Sequence, residues 1–293
     1  MRYLKILKDM KKKFLLFAWV LIPTALFAQN NDQSYKIFET KTRKTVSLEE
    51  LVKNMKKVDV LFFGEEHNDS IGHVLEAQIF GKMIQSYPGT ALSLEMFPTD
   101  VQPILNEYLA QVISEKNFIK EARAWNNYKD YKPLIELAKE NKADVIGANA
   151  ATRYSNAVTF SGLNKLNDFP LASKEFLPPL PVDTATGRYY DKFVETLGGH
   201  DMGGMKIFQT QNLWDASMAW SIAKYNKLNP KKKILQVNGR FHSDEKLGTF
   251  AQLRKYAPKL NLVNISCFAA KDSMEPDWTK QAELGDYIIL TGK

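Results

Sequence analysis

Cysteine is almost missing from this chain of 293 residues, in which Cys267 is the only one. A single cysteine cannot form a disulfide within the chain, so the fold has to be held by its hydrophobic core. Cys267 lies in the apolar run 262–269, which predicts a buried residue of a β-strand. Because no cysteine lies near the N-terminus, a lipid anchor has no thiol to use, and the protein is not expected to be a lipoprotein.

Several signatures of common enzyme and repeat families are absent as well. The sequence has no Gly-x-Ser-x-Gly segment and no His-Glu-x-x-His segment, which removes the commonest serine-hydrolase and zinc-peptidase motifs. It also has no internal repeat and no low-complexity run. No single local motif therefore states the function of the chain.

The N-terminus has the organisation of a secretory signal peptide, predicted to span residues 1–28. Residues 1–13 carry six lysines and arginines, residues 14–27 are almost entirely apolar, and the small Ala28 offers a cleavage point. The apolar stretch is shorter than the about 20 residues that span a bilayer, and it contains Pro23. We therefore expect cleavage, and export to the periplasm or the cell envelope.

Most of the positive charge of the chain lies in this N-terminal segment. The whole chain has a net charge of +7; six of its 40 basic and one of its 33 acidic residues precede residue 29, which leaves 34 and 32, or +2. A nearly neutral protein lacks the basic surface typical of nucleic-acid binding, so no nucleic-acid partner is expected. Residues 29–293 fit one domain, large enough to bury a substantial core.

Short apolar runs alternate with amphipathic stretches of helical length, which is typical of an α/β layer architecture. Strands are predicted at 58–63, 90–94, 144–147, 234–237, 262–267 and 287–290. One helix is predicted to begin at a capping box of Ser47 and Glu50, and another at Ser70, ending near residue 85. A third is predicted to begin at a second capping box of Thr99 and Gln102 and to end near residue 112. Three more are predicted at 131–141, 207–225 and 249–256. The expected fold is a mainly parallel central sheet flanked by helices.

The segment 151–204 interrupts this alternation. It has no clear strand, contains four prolines between residues 170 and 181, and ends in the glycine-rich stretch 198–204. Proline and glycine clusters mark hinges, and so long a segment without a strand is typical of an inserted element. We interpret it as a helical lid over a functional site.

Polar side chains concentrate where predicted strands end. Glu65 and His67 follow the first strand, Glu95 ends the second, and His242 follows a later one. The carboxyl ends of parallel strands share one edge of a sheet, where ligands bind, so these four side chains are expected to converge. Each histidine also ends a Gly-x-x-His turn, whose glycine is expected where the backbone bends tightly. Taken singly, each residue also fits a helix cap or a solvated loop.

Four stretches carry a resemblance to a known family. They read FFGEEH at 62–67, ALSLEMF at 91–97, QNLWDASMA at 211–219 and VNGRFH at 237–242. Together they resemble the ChaN-type haem-binding uptake proteins, which belong to a superfamily with the Tiki, TraB and erythromycin esterase proteins. The resemblance spans residues 58–267 and departs from the family in lacking the lipoprotein cysteine.

The resemblance implies a haem-binding protein of bacterial iron acquisition. The positions that match the family's site are Glu65, His67, Glu95, Gln211, Asp215 and His242. Haem is the implied cofactor, and a homodimer and an outer-membrane haem uptake system are the implied partners.

Haem also needs an axial ligand, which proteins supply from histidine, tyrosine, methionine or cysteine. Tyr128 and Tyr131 are three residues apart, so on a helix both can face one slot. His200 and the nearby Met202 lie on the glycine-rich loop, which could approach the iron from the other side or from a second subunit. An aromatic helix start and a flexible connection are the alternative interpretations of these two segments.

The same strand-end cluster also suits a different class of function. In a hydrolase, Glu65, His67, Glu95 and His242 would hold a divalent transition metal or act as general base and electrophile on a carbonyl. A third interpretation is a buried hydrogen-bond network that only joins strand ends. His73 and Glu76, one helical turn further on, either line the same mouth or lie on the surface.

Overall fold

An eight-stranded sheet forms the centre of the computed structural model, which describes residues 34–198 and 203–292. The strands are β1 Tyr35–Glu39, β2 Lys44–Val46, β3 Val60–Glu65, β4 Ala91–Pro98, β5 Val145–Asn149, β6 Ile234–Gly239, β7 Leu262–Ala269 and β8 Tyr287–Thr291. Their order across the sheet is β2-β1-β8-β7-β3-β6-β4-β5. The strands from β3 to β8 pair in parallel, and only β1 pairs antiparallel, with β2 and β8.

Helices cover both faces of this sheet. They are α1 Leu48–Asn54, α2 Ser70–Ser86, α3 Gln102–Leu109, α4 Glu115–Glu121, α5 Tyr128–Glu140, α6 Thr152–Ser161, α7 Leu171–Lys174, α8 Arg188–Thr196, α9 Ile207–Leu228, α10 Gly248–Tyr256 and α11 Trp278–Gln281. Leu61 and Phe63 of β3 belong to the core beneath α1, α2 and α5, whereas Val60 and Phe62 belong to the core beneath α9 and α10. A strand buried on both faces is apolar throughout, which explains the continuous apolar run of β3. The mainly parallel sheet flanked by helices is as predicted.

The connections of β3 and β6 leave a crevice at the carboxyl edge. From β3 the chain crosses to β4 and β5 on one side, and from β6 it crosses to β7 and β8 on the other side. The helices that follow these strands therefore diverge to opposite faces. In parallel sheets such a reversal of direction is where ligands bind, because no helix covers the strand ends there.

Two predicted helix starts were wrong in detail, although the Ser47–Glu50 capping box is present. Helix α2 is capped by Asp69, not Ser70: one Asp69 oxygen accepts from the N–H groups of Ile71 and Gly72, at 3.0 Å each. The second oxygen of Asp69 accepts from the hydroxyl of Thr291 in the last strand, at 2.6 Å. This bond ties the start of α2 to β8.

The predicted capping box of Thr99 and Gln102 does not form. Thr99 begins a short 3-10 turn, and its hydroxyl donates to the carbonyl of Phe176 at 2.8 Å. The Gln102 side chain donates to the carbonyl of Val145 at 2.7 Å and accepts from the N–H of Gly147 at 2.9 Å. Long-range partners on β5 replace the local ones, and α3 ends at Leu109 instead of about residue 112.

The described part of the segment 151–204 consists of helices and irregular connections. It contains α6, α7 and α8, with no strand in its described part 151–198. The predicted signal peptide, His200 and Met202 lie outside the described residues.

The described residues all fall within one compact unit, Asp32–Lys293. None of their helices combines the length and apolarity needed to cross a bilayer.

Candidate functional site

The site begins at the end of β3. Glu65 is the last residue of this strand and only 1% exposed, and it pairs in register with Gly239, the last residue of β6. His67 follows two residues later, and its Nδ1 lies 2.7 Å from Glu65 Oε1. Burial lowers the pKa of His67, but the hydrogen bond to Glu65 and the charge of Glu95 outweigh it, so the pKa is raised above its ordinary value. The buried carboxylate thus orients the imidazole.

The two Gly-x-x-His turns fit into each other. A Cβ on Gly239 would lie 2.8 Å from Nε2 of His67, and a Cβ on Gly64 would lie 2.8 Å from Ser243 Oγ and 3.0 Å from the Cα of Arg240. Gly239 has φ −54°, which any residue adopts. Glycine is therefore required here for close packing of one turn against the other, and not for the tight bend that the sequence suggested.

Glu95, a residue of β4, contributes its side chain to the same site. The strand continues three residues past Glu95 to Pro98, and its pairing with β5 is irregular between Leu94 and Pro98. Glu95 Oε2 accepts from the N–H of Gly239 at 2.7 Å, and Oε1 lies 3.5 Å from His242 Nε2. Burial raises the pKa of Glu95, but the positive charges of His242 and His67 outweigh it and lower the pKa. Glu95 is a buried carboxylate at neutral pH.

His242 lies between two carboxylates. Its Nδ1 is 2.7 Å from Asp215 Oδ1, and its Nε2 faces Glu95. Burial lowers the pKa of His242, but the charges of Glu95 and Asp215 outweigh it and raise the pKa to about 10. The ring is therefore an imidazolium at neutral pH, and it neutralises part of the buried negative charge.

Helix α9 supplies the far side of the site. Gln211 and Asp215 lie one turn apart on it, and the Gln211 amide is 3.0 Å from His242 Nδ1. Asp215 also accepts from the hydroxyls of Thr249, at 2.9 Å, and of Tyr189, at 2.6 Å. Tyr189 belongs to α8, so part of the segment interpreted as a lid packs directly on this network. Sequence reasoning missed Tyr189, because no spacing relates it to Asp215.

A cleft of about 430 Å³ opens at this edge of the sheet. It is lined by Glu65, Glu66, His67, Asn68, Gln211, Gly239, Arg240, Phe241 and His242. Arg240 lies with its guanidinium 4.2 Å from the ring centroid of Phe268 and 2.8 Å from Asp244. Arg240 and Phe241 were not singled out from the sequence, although they lie inside the second Gly-x-x-His turn.

The two tyrosines proposed as iron ligands lie in the core. Tyr131 is 1% exposed, and its hydroxyl donates to Glu65 Oε1 at 2.7 Å from behind the strand end. Tyr128 is buried against Phe118, and burial raises the pKa of both tyrosines. Neither hydroxyl lines the cleft, so the structure does not favour a tyrosinate ligand. Trp125, from the same segment, does approach the site, with its ring 5.2 Å from that of His67.

His73 and Glu76 of α2 are buried rather than placed at the mouth. His73 is 7% and Glu76 is 0% exposed, and His73 Nε2 lies 3.0 Å from Glu65 Oε2. Burial, and then the charge of Glu65, raise the pKa of Glu76 well above its ordinary value. This second cluster lies on the opposite side of Glu65 from His67.

Comparison with known proteins identifies the family of this chain. Residues 51–253 match the family described as haem-binding uptake, Tiki superfamily, ChaN. This chain belongs to that family. The predicted membership is thereby confirmed, and the family supports a haem-binding role. No curated protein matches the chain.

Two solved structures share their fold with most of this chain. The structure of ChaN from Campylobacter jejuni, described with cofacial haem binding, has a TM-score of 0.68 at 17% identity and covers 89% of this chain and 98% of its own. A Bacillus cereus protein has a TM-score of 0.51 at 13% identity, covering 85% of this chain and 92% of its own. At these identities the likeness shows a shared fold.

Proposed function

We propose that this protein binds haem in the cleft at the carboxyl edge of the sheet, with His67 as an axial ligand. One observation carries the assignment: His67 is an exposed imidazole backed by a buried carboxylate. Its side chain is 45% exposed, against 7% for His73 and 8% for His242, the other histidines that the structure describes. Metal-binding histidines characteristically donate their second ring N–H to such a carboxylate, which fixes the ring and raises its basicity.

The residues around His67 suit the rest of a haem. Trp125 and Phe241 offer aromatic surface beside the histidine. Arg240 lines the same cleft, and Asp244 holds its guanidinium, which is a donor for a propionate. Glu65, Glu95, Gln211, Asp215 and His242 orient the ligand in this proposal, and the charge of His242 offsets part of the negative charge of the carboxylates. Bound haem would supply iron as the cargo, and the protein supplies the ligand and the donors.

The open form of the cleft favours two copies acting together. His67 and Arg240 both remain partly exposed, so this surface leaves one face of a bound porphyrin uncovered. Haem is bound cofacially in ChaN of Campylobacter jejuni. We propose a homodimer here in which each copy presents one haem and the two haem faces cover each other.

Export and delivery are the remaining parts of the proposal. Residues 1–28 have the pattern of a signal peptide, and the family takes part in haem uptake. We propose a periplasmic or cell-envelope protein that serves an outer-membrane haem uptake system. Segment 151–204 would act as the lid, since Tyr189 contacts Asp215 and Lys192 donates to the carbonyl of Phe241 at 3.3 Å.

A haemin titration of the chain from residue 29 onward tests this function. We expect a shifted Soret band that saturates at one haem per chain, together with a change from monomer to dimer in size-exclusion chromatography coupled to light scattering. Tyr128→Phe, a buried change away from the cleft, should behave as the parent does. Absorbance that rises linearly with haemin and never saturates would show that the cleft does not bind haem.

A second candidate function, acid-base hydrolysis, is favoured by one observation. His242, protonated at neutral pH, lies 3.5 Å from the ionised Glu95, which pairs an electrophile with a base. If the cluster hydrolyses esters or amides, Glu95→Gln should lower kcat by about 100-fold or more, the range typical of a general base. Turnover of a panel of nitrophenyl esters and peptide amides measures this. Equal rates in the parent and the variant reject the hydrolase.

A further inference from the structure

A second group of metal-ligating side chains lies behind Glu65, inside the protein. Glu65, His73 and Glu76 each place one ligand atom within 4.8 Å of the other two. We propose that these three residues bind one divalent first-row transition-metal ion, at a site separate from the haem cleft. This ion does not depend on haem binding, although the two sites share Glu65.

Five polar atoms of this group lack a hydrogen bond of normal geometry in the described part of the chain. Both carboxylate oxygens of Glu76, both ring nitrogens of His73 and Oε2 of Glu65 are buried without a hydrogen bond. Glu76 is fully buried, and in the described part of the chain no lysine or arginine pairs with any of the three. Buried polar groups almost always find a partner, because leaving one unpaired costs the free energy of removing it from water without replacing its hydrogen bonds. A cation supplies that partner to all three at once.

The contact between His73 and Glu65 has the character of two ligands of one ion. His73 Nε2 lies 3.0 Å from Glu65 Oε2, yet the two atoms lack hydrogen-bond geometry. Bonds of about 2.0–2.2 Å to a divalent ion keep ligand atoms within about 4.4 Å of each other, and the three ligand atoms here lie within 4.8 Å of one another.

The neighbouring polar atoms are engaged elsewhere and leave this position to an ion. Oε1 of Glu65 already faces Tyr131 and His67, at 2.7 Å each, so only Oε2 remains for the interior. Both oxygens of Asp69 are used by the helix cap and by Thr291. The ligand set is therefore limited to one imidazole and two carboxylates.

A cleft between α2 and α5 touches one member of the group. It has a volume of about 480 Å³ and is lined by His73 together with Ser70, Lys129 and Asp130. One imidazole with two carboxylates suits Zn²⁺, Mn²⁺ or Fe²⁺, whereas Ca²⁺ takes six to eight oxygen ligands. The ligand chemistry thus selects the transition-metal class without choosing within it.

Equilibrium dialysis of the metal-free protein against Zn²⁺, followed by metal analysis, tests the site. The parent should bind one Zn²⁺ per chain, and Co²⁺ in its place should give visible d–d absorption. Glu76→Gln keeps the shape of the side chain but removes one metal ligand. We expect the affinity for Zn²⁺ to fall by more than about 100-fold, which exceeds the loss seen when a residue that only contacts a ligand is changed. Glu136→Gln, a carboxylate on α5 paired with Lys139, is the matched control and should bind as the parent does.

Three results would overturn the assignment. In the first, the parent protein binds no ion. In the second, the Glu76→Gln variant binds the ion with the affinity of the parent. In the third, the ion is lost in His67→Ala but kept in Glu76→Gln. The circular-dichroism melting curve of Glu76→Gln verifies that it folds. Its haemin titration should match the parent, so failure of the metal site and failure of the haem site give different outcomes.

Discussion

Replacing His67 with alanine is expected to weaken haemin binding by more than about 100-fold and to abolish the parent Soret position. His67 is the accessible histidine of the cleft, and Glu65 fixes its ring through a 2.7 Å contact. Losing a metal ligand should exceed the 10- to 100-fold loss that follows a change in an outer-shell partner. Titration of the parent and the variant at neutral pH, followed by absorbance, measures the difference.

Two further variants serve as controls for His67→Ala. Tyr131→Phe removes one hydrogen bond to Glu65 and should weaken binding by about 10-fold to 100-fold while keeping the band shape, as an outer-shell change does. His200→Ala tests the loop outside the described residues. If His67→Ala binds haemin as the parent does and His200→Ala does not, the iron ligand lies on that loop.

Replacing Asp215 with alanine should lower the free energy of unfolding by about 3–5 kcal/mol at neutral pH. Asp215 accepts from Tyr189 and Thr249 and lies 2.7 Å from the protonated His242, so its loss leaves a buried cation short of a partner. Asp144→Ala is the control, because its carboxylate pairs with Lys232 at the surface, and such pairs contribute about 0–1 kcal/mol. Urea unfolding measures both. Equal losses in the two variants would contradict a charged network at the site.

The pH dependence distinguishes loss of charge from loss of packing. The folded-state pKa of His242 is raised from 6.5 to about 10, so folding favours the protonated ring. That contribution is fully present below the unfolded pKa of 6.5 and is lost as the pH rises toward 10. The parent should therefore lose stability between these two values, and His242→Gln should show a flatter profile. Parallel profiles would mean that His242 is neutral in the folded protein.

The strands that carry the site were predictable because they are buried on both faces. The run 60–63 of β3 is apolar without alternation, as expected of a central parallel strand, and the run 234–237 of β6 departs from this only at Gln236. The placement of Glu65 and His242 followed from it, since residues after parallel strands meet at one edge. The short strands β1 and β2, at one end of the sheet, have no such pattern and were missed.

Side-chain direction was harder to predict than position. Tyr128 and Tyr131 do share one face of α5, but periodicity does not say what that face meets, and here it meets the core with Leu134 and Ile135. Likewise, Asp69 rather than Ser70 caps α2 because β8 supplies Thr291 to its second oxygen. Contacts between residues far apart in sequence decided both cases.

The sheet order also determines when the protein can finish folding during synthesis. Strand β3 pairs only with β6 and β7, which are translated long after it. Until then, the segment Val60–Glu65 has two unpaired edges and an apolar sequence, the combination most prone to wrong pairing. A chain interrupted before Leu262–Ala269 would leave one of these edges open, so nascent and truncated forms should depend on chaperones while the finished sheet does not.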